Sequence, residues 1–374
     1  MSDVLLIDNA TVERVLTMEG CIESQETALK GLLSGDAINR PRFDLYVPTG
    51  TPGAFYRSGN MEGAIASTGI YAIRLKSDVI TWPRDEQGRW TEEKFCVQPG
   101  TYCGLVLLFS SRDGEPLAII NDGHIQHMRV GGGAGIGARY LARQDSRRVG
   151  MLGSGGMARV YLEAFRAVRP VTEARVYSPN AAHREAFAAE MAAKLGIDVR
   201  ASDHPEEAVA GADLVATCTD SMRPTLRAEW LEPGQHVTNV GPSEISREVY
   251  ERFDVRIKQG VSGWPAGIVE LDRVVLGRGH SPVAIAAGGE EQLAELPSGK
   301  EHELGYDMKL PTFTDYLRGE VAGRTSEDQI TFWHNIGNHG LQFAAVGGWV
   351  YELVRKHGLG RTLPTEWFLQ DIKN

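Results

Sequence analysis

The chain has 374 residues, of which 42% are hydrophobic and 24% charged, and 39 Lys and Arg stand against 49 Asp and Glu for a formal net charge of −10. These proportions predict a globular protein of two domains, or of one domain with a large excursion, and argue against a general polyanion binder, because no concentrated basic face is available to neutralise phosphates. The opening MSDVLLIDNATVERVL lacks a basic segment followed by a long apolar one, and no run reaches about 18 apolar residues. We therefore expect a cytoplasmic protein with no membrane span and no nucleic-acid partner.

In chain order, residues 4–34 predict a short strand and an amphipathic helix, with Ala10, Val12, Val15, Leu16, Met18, Cys21 and Ile22 at helical spacing. A loop containing Pro41, Pro48, Gly50 and Pro52 follows. Residues 69–79 and 102–110 have strand character, and Asp113-Gly114 between apolar runs signals a hairpin. The front third thus reads as a curved, largely antiparallel sheet. Beyond the glycine-rich run 131–137 and the helical ARYLARQ, apolar strands alternate with helices, which predicts a parallel α/β sheet with strands at 148–152, 173–177, 214–217, 236–240 and 254–258. Residues 286–316 (AAGGEEQLAELPSGKEHELG and onward) read as an exposed polar insertion, and the tail from Ser326 returns to helical spacing. Cys21, Cys96, Cys103 and Cys218 have no CxxC or zinc-like spacing, so reduced thiols and no metal site are expected.

RRVGMLGSGGMARVYLEAF places Gly153, Ser154, Gly155, Gly156, Met157 and Ala158 after an apolar strand and at the start of a helix. Gly153 permits a tight turn, Gly155 lets backbone approach a pyrophosphate, and Ala158 lets helix and strand pack closely. The helix N-terminus then offers N–H groups to the anion. The next strand ends in Ser178-Pro179-Asn180, without the carboxylate that would grip both ribose hydroxyls of NAD, and His183 and Arg184 follow. NAD(P)H is expected, with a lean to NADP, although Arg184 also reads as a solvated helix residue. Thr217, Thr219, Val240 and Gly241, at the ends of later strands, complete the expected cofactor site.

Three stretches around this loop carry a resemblance. They are YAIRLKSDV, GEPLAIINDGHIQHMRVGGGAGIGARYLA and WLEPGQHVTNVGPSEISREV, and with them the chain resembles the ornithine cyclodeaminase and mu-crystallin family over nearly its whole length. The resemblance implies an α/β chain in which a Rossmann-type NAD(P)-binding domain (129–331, with the polar insertion) joins an α+β substrate-binding and dimerisation domain (1–128 and 332–374). It further implies a homodimer with its active site in the cleft between the domains. Arg74 stands where the family's substrate-binding lysine usually does, and Arg129 matches the arginine that grips the substrate carboxylate. Arg40 or Arg42 matches a further substrate-contacting arginine. A planar guanidinium holding a carboxylate by two parallel hydrogen bonds makes such a clamp chemically reasonable.

Two departures bear on the reaction. Ser243 replaces the aspartate that the family's cyclodeaminases use to remove the amine, as in the ketimine reductase-like members, while neighbouring Glu244 is able to swing into the same space. In the tail, Gln342 stands where aspartate is usual, and Asn338 and His339 replace apolar residues. His124, His127, His334 and His339 titrate near neutrality and are proton-donor candidates, each weighed against a packed or solvent-facing role. We expect Arg74, Ser243 and Glu244 to be catalytic, and Arg42, Arg74 and Arg129 to bind substrate. The reaction implied is NAD(P)H-dependent reduction of the C=N bond of a small imino or ketimine acid, or oxidation of the corresponding amino acid. A cyclodeaminase-type lyase with tightly bound NAD and a non-catalytic NADP and ligand carrier are the alternatives.

Overall fold

The computed structural model describes residues 3–84, 92–221, 223–261, 274–275, 283–296 and 310–372. In order, the elements are β1 (Val4–Ile7), α1 (Asn9–Val15), α2 (Met18–Ser34), β2 (Ala37–Pro48), β3 (Ala54–Ile65), β4 (Ile70–Thr81), β5 (Glu93–Cys96), β6 (Gln98–Pro99), β7 (Cys103–Ser110), β8 (Pro116–Asn121) and α3 (Gly123–Leu141). Then come β9 (Arg148–Leu152), α4 (Gly156–Val168), β10 (Glu173–Tyr177), α5 (Ala181–Leu195), β11 (Asp198–Ala201), α6 (Pro205–Val209), β12 (Leu214–Thr217), β13 (His236–Asn239), α7 (Arg247–Glu251) and β14 (Val255–Lys258). Last are β15 (Val274–Val275), β16 (Val283–Ala286), α8 (Glu290–Ala294), α9 (Phe313–Leu317), β17 (Thr331–His334), α10 (His339–His357) and β18 (Arg361–Leu363).

The chain divides into two compact units. The first comprises Met1–Arg129, Ser262–Glu301 and Asn338–Asn374, and the second Val130–Val261 and His302–Gly337. In the first, strands run in the order β15-β16-β2-β3-β4-β7-β8-β1-β18, antiparallel from β2 through β8. Helix α10 lies so close to β3 that a Cβ at Gly63 would stand 2.5 Å from the Leu341 nitrogen, and Leu341 N–H donates to Asn39 Oδ1 at 3.1 Å. The second unit is a parallel sheet, β11-β10-β9-β12-β13-β17-β14. Its direction of growth reverses between β9 and β12, the switch point at which doubly wound sheets bind ligands. Strands β12, β13 and β17 are buried throughout, as a sheet covered on both faces requires. Phe253 and Phe332 stack at 4.6 Å within this core.

Several expectations change. Residues 37–48 are a twelve-residue strand, not a loop, because Pro41 falls where the β2–β3 register shifts between Arg40 and Phe43, and there its missing N–H breaks no ladder bond. The first helix is two, separated where Thr17 caps α2 by accepting from Gly20 N–H. The glycine run 131–137 lies inside α3. Glycine weakens a helix, but here packing overrides propensity, since a Cβ at Gly131 would stand 2.6 Å from the Val160 carbonyl oxygen.

The boundary also lies elsewhere than expected. Residues 331–334 are a strand of the second sheet, since four consecutive buried residues there satisfy a parallel strand before helical spacing resumes at His339. Of the insertion, only 286–296 and 310–316 lie among the described residues, and neither piece is wholly exposed. Ala286 and Leu296 pack with Tyr46, Phe55 and Ile80, and β16 pairs with β2 of the first sheet. Phe313 is fully buried against Tyr140 and Trp333. Its few apolar residues anchor a polar stretch whose composition hid them.

Candidate functional site

In the first unit, β4 reads IYAIRLKSDVIT with every second residue buried, so Arg74, Lys76 and Asp78 share the inward face with Ile70, Ala72 and Ile80. Cross-strand register supplies their neighbours. Arg57 of β3 stands opposite Asp78, Gly59 opposite Lys76 and Met61 opposite Arg74, while β7 sets Gly104 beside Lys76. The two glycines are a spatial requirement: a Cβ at Gly59 would overlap Lys76 Cε, and one at Gly104 would overlap the Asp122 carboxylate. The Lys76 side chain therefore extends over the bare backbone of Gly59, and the Asp122 carboxylate sits over that of Gly104.

These side chains line a cavity of ≈ 320 Å³ together with Arg42, Glu92, Lys94, Tyr102, Gln126, Arg129 and His339. Arg57 grips Asp78 through two bonds of 2.9 and 2.7 Å, and Arg42 grips Asp44 at 2.8 and 2.6 Å. Arg74 Nε donates to Asp122 at 2.6 Å and Nη2 to the Tyr102 hydroxyl at 3.1 Å. Lys76 lies 3.5 Å from Asp44. Arg129, at the first unit's end of α3, donates to the amide oxygens of Gln126 and Gln342, both at 3.0 Å. Gln342 is itself fixed, donating to Gln25 Oε1 at 2.6 Å. The guanidinium carbons of Arg74 and Arg129 stand 5.5 and 5.2 Å from the centre of the Phe343 ring, so one aromatic ring supports both cations.

Burial, reinforced by the Arg42 and Arg57 charges and opposed by Asp44 and Asp78, holds the Lys76 amine well below the usual lysine range. Burial raises Glu92, yet Lys94 and Arg57 outweigh it and bring the carboxyl down to about 2. The cavity is thus lined by guanidinium ions that stay charged and by one amine that gives up its proton readily, a set suited to holding a carboxylate and exchanging a proton with a nitrogen.

In the second unit, Gly153 ends β9 with φ +108°, and a Cβ there would overlap the Cys218 carbonyl oxygen. Gly155 is the N-cap of α4, with no side-chain cap and open space where its Cβ would be, and Gly156, Met157 and Ala158 form the first turn. An uncapped helix start with bare backbone before it suits a dinucleotide pyrophosphate. Ser154 Oγ donates to Ser178 Oγ at 2.9 Å, and Asn180 caps α5 by accepting from His183 N–H at 3.1 Å. Arg184 reaches back to the Ser178 carbonyl at 3.2 Å and pairs with Asp203 at 2.6 Å. The solvated reading of Arg184 therefore gives way to a guanidinium held at the end of β10.

Thr217 is buried at the end of β12, and beyond it Thr219 donates from both N–H and Oγ1 to Glu244 Oε1 at 2.6 and 2.7 Å. Val240 and Gly241 N–H donate to Glu244 Oε2 at 3.1 and 2.7 Å. Glu244 is fully buried, and burial raises its carboxyl against the lowering effect of these hydrogen bonds. With two donors on each oxygen, its acceptor capacity is spent on joining the loops after β12 and β13. Glu244 was expected to be catalytic, and here its carboxylate braces the two loops through four hydrogen bonds. Ser243 Oγ donates to the Ser221 carbonyl at 3.0 Å.

Arg42, Arg74, Arg129 and His339 thus come together on the first unit, whereas Arg40 pairs with Glu62. His334 binds Asn239 Oδ1 at 2.9 Å and His127 the Gly123 carbonyl at 2.9 Å, as packed histidines do. Sequence reasoning missed Arg57, Lys76, Lys94 and Tyr102. For Lys76 and Asp78 the signal was present, since with Arg74 they recur at the two-residue period of one strand face.

Residues 93–357, more than half of the chain, match the model of the ornithine cyclodeaminase/mu-crystallin family. An alanine dehydrogenase of Archaeoglobus fulgidus is 28% identical over 366 residues, 96% of this chain and 97% of its own. Delta(1)-pyrroline-2-carboxylate reductase of Bacillus cereus is 27% identical over 264 residues, 70% of this chain and 74% of its own. Among solved structures, the Thermococcus litoralis Delta(1)-pyrroline-2-carboxylate reductase in complex with NADH and L-proline has a TM-score of 0.72 and 23% identity, covering 96% of this chain and all of that one.

Proposed function

Because the chain belongs to the ornithine cyclodeaminase/mu-crystallin family, we propose that it is a nicotinamide-dependent oxidoreductase that reduces the C=N bond of a small imino or ketimine acid, or oxidises the corresponding amino acid. The observation that carries this reading is the buried cluster of Arg74, Lys76 and Arg129 in a cavity of ligand size. Arg74 and Arg129, backed by Phe343, hold the carboxylate. Lys76 supplies the proton that the nitrogen takes up on reduction, because its burial among cations makes its ammonium form a ready donor. His339, on the same wall, is the second candidate. Reduced nicotinamide, when bound, supplies the hydride, which needs no metal. The loop from Gly153 to Ala158 would hold its pyrophosphate and Ser178, Asn180 and Arg184 its adenosine end, with Thr217, Thr219, Val240 and Gly241 nearby. Tyr177 is followed by no carboxylate to repel a 2′-phosphate, which supports NADP.

Cyclodeamination is disfavoured, since Ser243 replaces the aspartate and both Glu244 oxygens are occupied. A homodimer is supported by the exposed apolar strip of Ile38, Leu45, Val47 and Tyr56 on β2 and β3. The test is absorbance in the reduced-nicotinamide band, with NADH or NADPH and a panel of α-keto acids plus ammonia or methylamine, and cyclic ketimines. Cofactor oxidation is expected. No oxidation across the panel, with ammonia release from ornithine instead, would establish the lyase, and binding without turnover the carrier.

A further inference from the structure

Among the described residues, two amines reach the wall of the first unit's cavity, Lys76 and Lys94. Lys94 has a side chain 38% exposed and is paired with Glu92. Lys76 has a side chain 3% exposed, and its contact with a carboxylate is Asp44 Oδ2 at 3.5 Å, on a group that Arg42 already grips through both oxygens at 2.8 and 2.6 Å. Arg57, fixed on Asp78, is a second cation close to it. Desolvation and like charge both disfavour the ammonium form of an amine so placed. A lysine in water at pH 7 keeps only about one amine in 2,500 unprotonated, and only that form is a nucleophile.

The position of the amine says what it would attack. Lys76 follows Arg74 by two residues on the inward face of β4, roughly 7 Å along the strand, and Arg74 shares the Phe343 ring with Arg129. The four-carbon stem of Lys76 is long enough to bridge one such row. A carboxylate held by the two arginines keeps the carbon bonded to it beside that row. In a 2-oxo acid this carbon is a carbonyl carbon.

We propose that Lys76 forms a Schiff base with the carbonyl carbon of a 2-oxo acid whose carboxylate Arg74 and Arg129 hold, so that the enzyme builds its imine from a 2-oxo acid and an amine. The Nζ lone pair forms the C–N bond. The carbonyl oxygen takes one proton from that nitrogen and one from solvent and leaves as water, and an iminium remains. Ammonia or a primary amine then adds to the iminium carbon and passes one proton to Nζ. The bond to Nζ breaks with its electrons on Nζ, and the free iminium acid is left for hydride transfer. The step precedes the proton delivery already assigned to Lys76. It rests on the oxidoreductase reading only for the fate of the imine, since Schiff-base formation is measurable without cofactor.

The full chain is incubated with pyruvate, 2-oxobutyrate or 2-oxoglutarate, without amine or cofactor, and treated with sodium borohydride. Peptide mass mapping then locates an adduct whose added mass equals the acid less one oxygen. Lys76 should be labelled on the order of 100-fold more than Lys94. In heavy-oxygen water the same step exchanges the carbonyl oxygen, about 100-fold faster with the wild-type chain than with Lys76→Met, whose fold circular dichroism checks. Equal labelling of Lys76 and Lys94, no adduct at Lys76 with any of the acids, or exchange that Lys76→Met leaves unchanged would overturn the assignment. Cofactor oxidation by preformed cyclic ketimines with no adduct at Lys76 would overturn the Schiff base alone, and an adduct at Lys76 with no cofactor oxidation by any imine the reductase reading alone.

Discussion

The two sheets treat charge in opposite ways. In the first, β4 turns Arg74, Lys76 and Asp78 inward, and the arginines stay charged because each one beside the cavity finds a fixed partner. In the second, β12 and β13 read LVAT and HVTN, all buried, and burial with the nearby charges of Arg324 and Arg169 drives His236 down to about 3. There the one carboxyl of note, Glu244, is consumed by backbone and hydroxyl donors. A sheet that recognises a small charged molecule pays for charge in its interior, whereas a sheet that offers backbone to a dinucleotide excludes it.

Acid should break this comparison most strongly. His236 takes up a proton at about 6.5 when unfolded but only at about 3 when folded, so the unfolded state binds more protons between those values and stability is lost as pH falls through that window. The loss reaches about 5 kcal/mol. Denaturant melts from pH 7 to 3 should show it, and His236→Asn should flatten the slope; an unchanged slope would mean that His236 is not the responsible group.

The next effect belongs to the dinucleotide loop. Gly153→Val requires a φ of +108° from a β-branched residue and drives its Cβ into the Cys218 carbonyl. Cofactor affinity, read by nicotinamide fluorescence, should fall about 1,000-fold while carboxylate binding by the first unit persists. Loss of both would tie the two sheets together energetically.

Arg129→Met should lower kcat/KM for the imino acid about 100-fold, chiefly through KM, with cofactor affinity held within a factor of about 2. The smallest change is Glu244→Gln, which sets an amide N–H2 against N–H donors. It should raise cofactor KM about tenfold and leave the pH profile of kcat/KM unmoved, whereas loss of one limb of that profile would restore Glu244 as an acid–base group.

The same contrast explains what the sequence revealed. Most of the second sheet was legible nearly to the residue, because buried parallel strands are apolar runs between helices and its loop has a glycine signature; β11, an edge strand with one buried residue, and β17, embedded in a polar tail, escaped. β3 escaped outright and β2 was taken for a loop, because their inward positions include Asp44, Arg57 and two glycines, which inverts the alternation that identifies a half-buried strand. For that reason Arg74 and Arg129 were found through resemblance while Lys76 and Arg57, visible only once strands are set in register, were not. Gln342 was noticed as a departure, but only its contacts with Arg129 and Gln25 gave it a role as a neutral brace that leaves the arginine its charge.

Gly59 and Gly104, on either side of Lys76, make the placement of that amine and of the Asp122 carboxylate a matter of ladder geometry more than of rotamer choice. The precision of the site is thus stored in the hydrogen-bond ladder of β2, β3, β4 and β7, the part of the chain least open to piecemeal change. Diversification of substrate range, by evolution or by an engineer, should accordingly proceed at Lys94, Tyr102 and Met61, which line the wall without bracketing the amine, and the two glycines should be the last positions to vary.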